Sequence, residues 1–271
     1  MTPAASQAPK PLRRILVVGG GDVGSAVACE LFRLGMQVLI AERPVSSHAR
    51  RGMAFTDALF DGRATLDGVT ALRVADISSI RDCWESAAAI PVATMAEVQL
   101  AAAIRFEVVI EATMRRWPET PDMRTLAAIT IGLGPGYAPG RNCHIAIETQ
   151  WGADMGRVLR DQPAAERSGG PRALAGVTRE RFVSAPGDGV WCTAATLGQP
   201  VRAGDEIGSI AEHSIRAPIG GYLRGVVRDG VEVRAGQCLL EVDPRATPEI
   251  TGLGERPRAI AMGVVAALGP G

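Results

Sequence analysis

Short apolar runs alternate with amphipathic segments over the first 160 residues, and this pattern predicts alternating strands and helices. Strands are predicted at residues 15–18, 37–41, 70–74, 90–93, 108–110, 127–131 and 144–147. Helices are predicted at residues 25–34, 53–60, 76–89 and 96–105, the third of them capped by Asp76 or Ser78. Because such alternation is typical of βαβ units, we expect an α/β domain built on a parallel sheet.

A glycine cluster follows the first predicted strand. The spacing Gly19-x-Gly21-x-x-Gly24 fits the dinucleotide fingerprint, in which the glycines allow a tight turn, a close pyrophosphate and close helix packing. The amino end of the next helix favours phosphates. Residues 12–160 are therefore predicted to form a Rossmann-like dinucleotide-binding domain, although a βαβ turn without a ligand would show the same pattern. The predicted cofactor-binding residues are Gly19, Gly20, Gly21, Asp22, Val23, Gly24 and Glu42.

Glu42 ends the second predicted strand, where an acidic residue binds the ribose hydroxyls of a dinucleotide. Two like charges about 4 Å apart repel by about 4 kcal/mol at an effective dielectric constant near 20. Glu42 therefore favours NAD over a ribose that carries a 2′-phosphate, and the adjacent Arg43 softens this preference.

A second group of candidate residues follows the later strands. The carboxyl ends of parallel strands share one crevice, so Glu111, Thr113 and Arg115 should face the first glycine loop. A second glycine-rich loop is predicted at residues 132–137. It is not a Walker motif, because no Lys-Ser/Thr pair follows it. Its sequence is consistent with an anion nest, with a wall of a ligand site and with a structural turn. The second-rank ligand residues are Glu111, Thr113, Gly132, Gly134, Gly136, Glu148 and Thr149.

The chain changes character after a Pro/Gly/Ser-rich linker at 161–176. Residues 177–245 contain a repeat with an offset of 32 residues, and two such halves resemble the small barrel of biotinyl/lipoyl domains. Carrier domains of that type need a lysine, but Lys10 is the only lysine in the chain. The barrel is therefore interpreted as a structural or docking module, and residues 246–271 as a helix that packs back.

Composition excludes several functions. The formal net charge is zero, which indicates neither nucleic acid nor an acidic membrane as partner. No apolar run is long enough for a membrane span, and residues 1–11 are expected to be a disordered tail without the features of a signal peptide. Five scattered cysteines and three scattered histidines predict a cytoplasmic protein with no metal site. No catalytic residue can be assigned, and a homo-oligomer is left open.

Several of these motifs together resemble one known family. They are Gly19-Gly20-Gly21-Asp22, Arg50-Arg51 before Phe55 and Asp61-Gly62, Ile131 to Gly136, Ile147-Glu148-Thr149, Gly156-Arg157-Val158 and the Ala-Pro-x-x-Gly pairs of the repeat. From Arg14 onward the chain resembles the selenium-dependent molybdenum hydroxylase system protein family, an accessory family related to xanthine dehydrogenase maturation factors. It departs from the family pattern at Trp151 and Ala153, where an arginine and a histidine are expected, and at Met155.

The resemblance implies an accessory or maturation protein of a molybdenum hydroxylase. Such a protein would bind NAD or the molybdenum dinucleotide cofactor on the first glycine loop and help to insert or modify the cofactor in a client enzyme. The alternative is an NAD-dependent oxidoreductase acting on a small substrate. A third hypothesis is a nucleotide sensor or scaffold that binds its ligand without turnover.

Overall fold

The structure is a computed structural model that describes residues 13–94, 99, 102–115 and 119–269. The predicted tail at 1–11 lies outside the described residues, and so do five of the ten residues of the predicted helix at 96–105. The described helices are α1 Asp22–Arg33, α2 Ala58–Asp61, α3 Ile77–Ser86 and α4 Glu255–Leu268. Short 3₁₀ turns lie at Arg51–Met53, Phe55–Asp57 and Arg179–Arg181.

A sheet of nine strands forms the N-terminal part of the fold. Its strands are β1 Arg14–Val18, β2 Gln37–Ala41, β3 Arg63–Leu66, β4 Val69–Val74, β5 Ile90–Ala93, β6 Val108–Glu111, β7 Ile129–Leu133, β8 Ile145–Ile147 and β9 Val158–Leu159. They lie in the order β3-β4-β5-β2-β1-β6-β7-β8-β9. β1 is therefore central, and its carboxyl end leads directly into the first glycine loop.

Both faces of this sheet are covered, which explains the continuous apolar runs of its central strands. Ile15 and Val17 of β1 pack with α1 and α4 on one face. Leu16 lies on the other face, in a cluster that includes Trp84 of α3. Neighbouring residues of a strand point to opposite faces, so β1 is buried on both.

The strand directions correct the predicted Rossmann-like parallel sheet. All neighbouring strands in the run β4-β5-β2-β1-β6-β7-β8 of the sheet are parallel. At the two edges, however, β3 runs antiparallel to β4 and β9 runs antiparallel to β8. The sheet is therefore mixed, and the predicted fold class was wrong. β3 was missed because only Leu66 of its residues is buried, and because the Asp67-Gly68 turn, with φ angles of 45° and 80°, makes a hairpin where a loop was expected.

The C-terminal part consists of two antiparallel sheets of four strands each, called here the C-terminal sheets. Their strands are β10 Phe182–Ser184, β11 Gly189–Cys192, β12 Pro200–Val201, β13 Glu206–Ile210, β14 His213–Arg216, β15 Gly221–Val226, β16 Glu232–Val233 and β17 Cys238–Asp243. One sheet has the order β10-β17-β15-β12 and the other β14-β13-β11-β16. The buried Trp191 side chain belongs to the apolar cluster of these strands.

The repeat of 32 residues is visible in these sheets, because each contains two strands from each copy. Neither copy can therefore fold its sheets alone. The predicted barrel of the biotinyl/lipoyl type is nevertheless wrong, since the strands form two separate four-stranded sheets. The boundaries of the predicted domains stay a prediction.

Several local predictions are confirmed by the elements. Asp76 caps α3, since its side chain accepts a hydrogen bond from the Ser79 N–H. The helix ends at Ser86, earlier than expected, because Ala87 adopts a left-handed φ of 50°. The predicted C-terminal helix is α4, which begins at Glu255 and packs on α1.

The contact between α1 and β1 gives a stability prediction. A Cβ atom on Gly24 would lie 1.9 Å from the Gly19 carbonyl oxygen, and no flexible side chain is available to move away. We expect Gly24→Ala to lower the free energy of unfolding by at least about 2 kcal/mol, because overpacking forces backbone shifts. Urea denaturation measures this change.

Gly187→Ala is the matched control, because a Cβ there would meet nothing within 4 Å. Its free energy of unfolding should stay within about 0.5 kcal/mol of the wild-type value. Equal stability of the two variants would contradict the close packing of α1 on β1.

Candidate functional site

The first glycine loop is shaped by backbone contacts. Gly19 has a φ of 103°, and a Cβ there would lie 2.8 Å from the Thr113 Cα atom. The Gly20 N–H donates to Glu42 Oε2 at 2.9 Å, and the Arg43 N–H donates to Oε1 at 2.7 Å. The structure thus brings Glu42 and Thr113 to the loop, as the sequence predicted, and two backbone N–H groups orient the Glu42 carboxylate.

The amino end of α1 has no side-chain cap at its N-cap residue, Gly21. Asp22 Oδ1 accepts the Val23 N–H at 3.0 Å, while the Val23 side chain is buried in the core and so cannot touch a ligand. Ser25, which sequence reasoning missed, donates from its Oγ to the Gly20 carbonyl oxygen at 2.9 Å. The same Oγ accepts the Phe55 N–H at 2.8 Å, so it ties the loop to the following segment.

A pocket of about 160 Å³ opens beside this loop. It is lined by Gly21, Glu42, Arg43, Ser46, Ser47, His48, Thr113 and Arg115. Burial lowers the pKa of Arg43, and the neighbouring Arg115 lowers it further. The two guanidinium groups outnumber the one carboxylate in the pocket lining, that of Glu42, which makes the pocket suitable for an anion.

His48 covers the loop at the position where the sequence predicted a close pyrophosphate. A Cβ on Gly21 would lie 3.3 Å from the His48 Cε1 and Nδ1 atoms. The Nε2 atom is buried and has no hydrogen-bond partner among the described residues. Burial lowers the pKa of His48, although the Asp22 carboxylate raises it. The imidazole is therefore neutral at pH 7. A phosphate bound at Gly21 would have to lie beside the imidazole ring or displace it.

Glu111 lies at the carboxyl end of β6, next to Thr113, as predicted. Its Oε1 accepts the Thr113 N–H at 3.0 Å and also the Thr113 hydroxyl. Its Oε2 accepts the Tyr137 hydroxyl at 3.0 Å, and a Cβ on Gly132 would collide with the Tyr137 ring. Gly132 is thus a packing position, and Tyr137 links the second glycine-rich loop to Glu111.

The remaining second-rank residues make structural contacts. The Glu148 carboxylate accepts backbone N–H groups from Thr149, Gln150 and Ala165 at 2.7 to 2.9 Å. A Cβ on Gly134 would lie 2.5 Å from the Thr149 Oγ1 atom, and one on Gly136 would lie 2.3 Å from the Thr120 Oγ1 atom. These contacts favour the structural turn among the alternatives for the second loop. A ligand role for these residues stays a prediction.

An ion-pair chain that sequence reasoning missed joins the first loop to the C-terminal sheets. Arg50 Nη1 donates to Asp22 Oδ2 at 3.0 Å, and Arg50 Nε donates to Glu241 Oε2 at 2.6 Å. Glu241 is recognisable in the sequence as a charged residue inside the apolar run from Leu239 to Val242. No sequence pattern identifies Arg50 as its partner, because the two residues lie 191 positions apart.

Three further observations concern the rest of the described residues. A second pocket, of about 190 Å³, lies at the amino ends of β1 and β2 and includes Arg14, Arg81 and Arg105. Within residues 13–94, 99, 102–115 and 119–269, no three His, Cys, Asp or Glu side chains are grouped so that they could hold a metal ion. Among the described helices, none has the length and apolarity to cross a membrane.

Comparisons with known proteins give one curated relative. The chain is 34% identical over 255 residues to the protein described as "Uncharacterized protein YqeB" of Escherichia coli K12. The alignment covers 94% of this chain and 47% of that protein, so the chain spans about half the length of the curated relative it matches. No protein-family model matches the chain.

Solved structures with some likeness have low TM-scores. The ectoine utilization protein EutE (DoeB) of Ruegeria pomeroyi is 12% identical, with a TM-score of 0.26 and coverage of 86% of this chain and 87% of that one. An aspartoacylase family protein of Mesorhizobium loti is 11% identical, with a TM-score of 0.27 and coverage of 88% and 86%. A succinylglutamate desuccinylase of Silicibacter sp. TM1040 is 12% identical, with a TM-score of 0.24 and coverage of 85% and 84%. Scores of this size transfer no activity to the chain.

These findings correct the resemblance to the selenium-dependent molybdenum hydroxylase system protein family. No family model matches the chain, and the curated relative is described as an uncharacterized protein, so the comparisons do not support that family. The accessory function in a molybdenum hydroxylase system and the NAD-dependent oxidoreductase alternative were therefore wrong. A molybdenum hydroxylase client as partner stays a prediction. The motifs that carried the resemblance make structural contacts instead: Gly134 packs on Thr149, and Glu148 binds backbone N–H groups.

The buried Glu111 carboxyl gives a pH prediction. Burial raises the pKa of Glu111, and the hydrogen bonds from Thr113 and Tyr137 oppose this effect only in part. A carboxyl whose pKa is raised by folding adds stability below its unfolded pKa, and this stability is lost as the pH rises through the folded pKa. The free energy of unfolding of the wild type, relative to Glu111→Gln, should therefore fall as the pH rises from about 4, near the ordinary glutamate pKa, to neutral. Urea denaturation over that range measures it, and a difference that stays flat or rises would contradict the assignment.

Proposed function

We propose that the chain binds a phosphate-bearing nucleotide, such as NAD or a related dinucleotide, at the first glycine loop. The observation that carries the proposal is the uncapped amino end of α1 beside a pocket that holds Arg43 and Arg115. Helix N–H groups and guanidinium groups both favour phosphate oxygens. The loop lies at the carboxyl end of the central parallel strands, which is where ligands of such sheets bind.

Glu42 supports a ribose as the neighbour of that phosphate. Its carboxylate is fixed by the N–H groups of Gly20 and Arg43, and each oxygen keeps a further lone pair. A ribose diol donates two hydrogen bonds and so suits this pair of oxygens. In this proposal the phosphate and the ribose occupy the pocket of about 160 Å³, and the rest of a dinucleotide lies outside it, along the carboxyl ends of the strands.

We propose binding and make no proposal of turnover. We also propose a cytoplasmic setting, because the five cysteines are all free and disulfides are rare in that compartment. A homo-oligomer remains a prediction.

The test is a calorimetric titration of the protein with NADH. Saturable binding is expected, and Glu42→Ala should weaken it tenfold to a hundredfold, because a hydrogen bond to a charged group contributes about 1.5–3 kcal/mol. NADPH should bind the wild type more weakly than NADH, since its 2′-phosphate would approach the Glu42 carboxylate. Glu42→Ala should reduce that discrimination.

Glu212→Ala is the matched control, because it removes an exposed carboxylate from the turn between β13 and β14. It should bind NADH as the wild type does. No binding at millimolar NADH, or an equal loss in both variants, would contradict the proposed site.

A further inference from the structure

Asp22 is an unexpected neighbour for a phosphate. It lies in the first turn of α1, and its Oδ1 takes the Val23 N–H that a phosphate oxygen would otherwise use. Its carboxylate would also repel any anion that approaches the helix end. An anion site here therefore requires a group that cancels this charge.

Arg50 is the group that contacts Asp22. Its Nη1 lies 3.0 Å from Asp22 Oδ2 and its Nε lies 2.6 Å from Glu241 Oε2. Burial alone would raise the pKa of Asp22, but the charge and the hydrogen bond of Arg50 are the main effects that oppose it, and the pKa lies below its usual value. Asp22 and Arg50 are thus both ionised at neutral pH, and their charges cancel.

Glu241 anchors Arg50 from the C-terminal sheets. Only 1% of its side chain is exposed, and it also accepts hydrogen bonds from Arg181 and Arg224. Burial raises the pKa of Glu241, but Arg50 first, and Arg224 and Arg181 after it, outweigh that effect and hold the pKa below its usual value. Because Arg181 and Arg224 remain when Arg50 is replaced, Glu241 is not left as a buried, unpaired charge.

The segment around Arg50 is fixed to the same sheets on both sides. The Ser47 hydroxyl, in the pocket wall, accepts a hydrogen bond from Gln237. The Val226 N–H donates to the Ala49 carbonyl oxygen at 2.9 Å, and Arg51 Nε donates to the Val226 carbonyl oxygen at 2.9 Å. The C-terminal sheets therefore set the position of one wall of the pocket.

We infer that Arg50, anchored by Glu241 of the C-terminal sheets, neutralises Asp22 and so allows a phosphate-bearing ligand to bind at the amino end of α1. The inference rests on the proposed function. It makes Arg50 and Glu241 positioning residues, and it gives the C-terminal sheets a part in ligand affinity.

The experiment compares NADH binding by calorimetry in Arg50→Gln, Arg50→Lys and the double variant Asp22→Asn/Arg50→Gln. Arg50→Gln should weaken binding about tenfold or more, because Asp22 then loses its ion-pair partner, and the remaining attraction of Arg256 for the Asp22 carboxylate is weaker. Arg50→Lys keeps the positive charge and should lose less affinity for NADH than Arg50→Gln. The double variant removes both charges and should recover most of the wild-type affinity, which a loss of folding could not produce.

Glu241→Asp tests the anchor, because it keeps the charge but shortens the reach to Arg50. It should weaken NADH binding severalfold while circular dichroism stays unchanged. Wild-type affinity in Arg50→Gln, or a double variant no better than Arg50→Gln, would overturn the inference alone. A wild-type protein that binds no NADH would overturn the proposed function and the inference together.

Discussion

Helix α1 lies against the end of β1 only because two glycines make room for each other. A Cβ on Gly24 would lie 1.9 Å from the Gly19 carbonyl oxygen, and Gly19 itself needs its φ of 103° to begin the turn. This contact places the amino end of α1 above the carboxyl end of the central strand. The same contact lets α1 pack into the apolar cluster that includes residues of α4. The position of the C-terminal helix therefore depends on the close approach of Gly24 to Gly19.

The second constraint is electrostatic. Asp22, Arg50 and Glu241 form a partly buried chain of charges, and such chains cost desolvation energy that the attraction does not always recover. The main contribution of these ion pairs is to fix the position of the loop that carries Arg50. The segment 43–50 has no regular secondary structure, and its position follows from contacts on both sides: Glu42 and Gly21 toward the sheet, and Glu241 and Gln237 toward the C-terminal sheets.

What the sequence could predict depends on the range of the interactions. The unit from β1 to β2, the Asp76 cap and the repeat of 32 residues rest on neighbours in the chain, and they appear in the structure. The antiparallel edge strands β3 and β9 are short and half-exposed, so their apolar pattern was too weak to predict the mixed sheet. The pair formed by Arg50 and Glu241 joins residues far apart in sequence, and no local pattern specifies such a contact.

The residues of the candidate site show the same difference between local and long-range interactions. Gly19, Gly24, Glu42 and Thr113 lie together as the motif and the strand ends predicted. His48 on Gly21 was not predicted, because its position depends on a loop held by the C-terminal sheets.

The central claim is that a nucleotide phosphate binds at the amino end of α1, and backbone amide NMR during a titration with NADH tests it most directly. The account predicts that the largest shifts occur at Gly20, Gly21 and Asp22, with smaller shifts at Glu42. Shifts confined to the other pocket, around Arg14 and Arg81, or no shifts at saturating NADH, would contradict it.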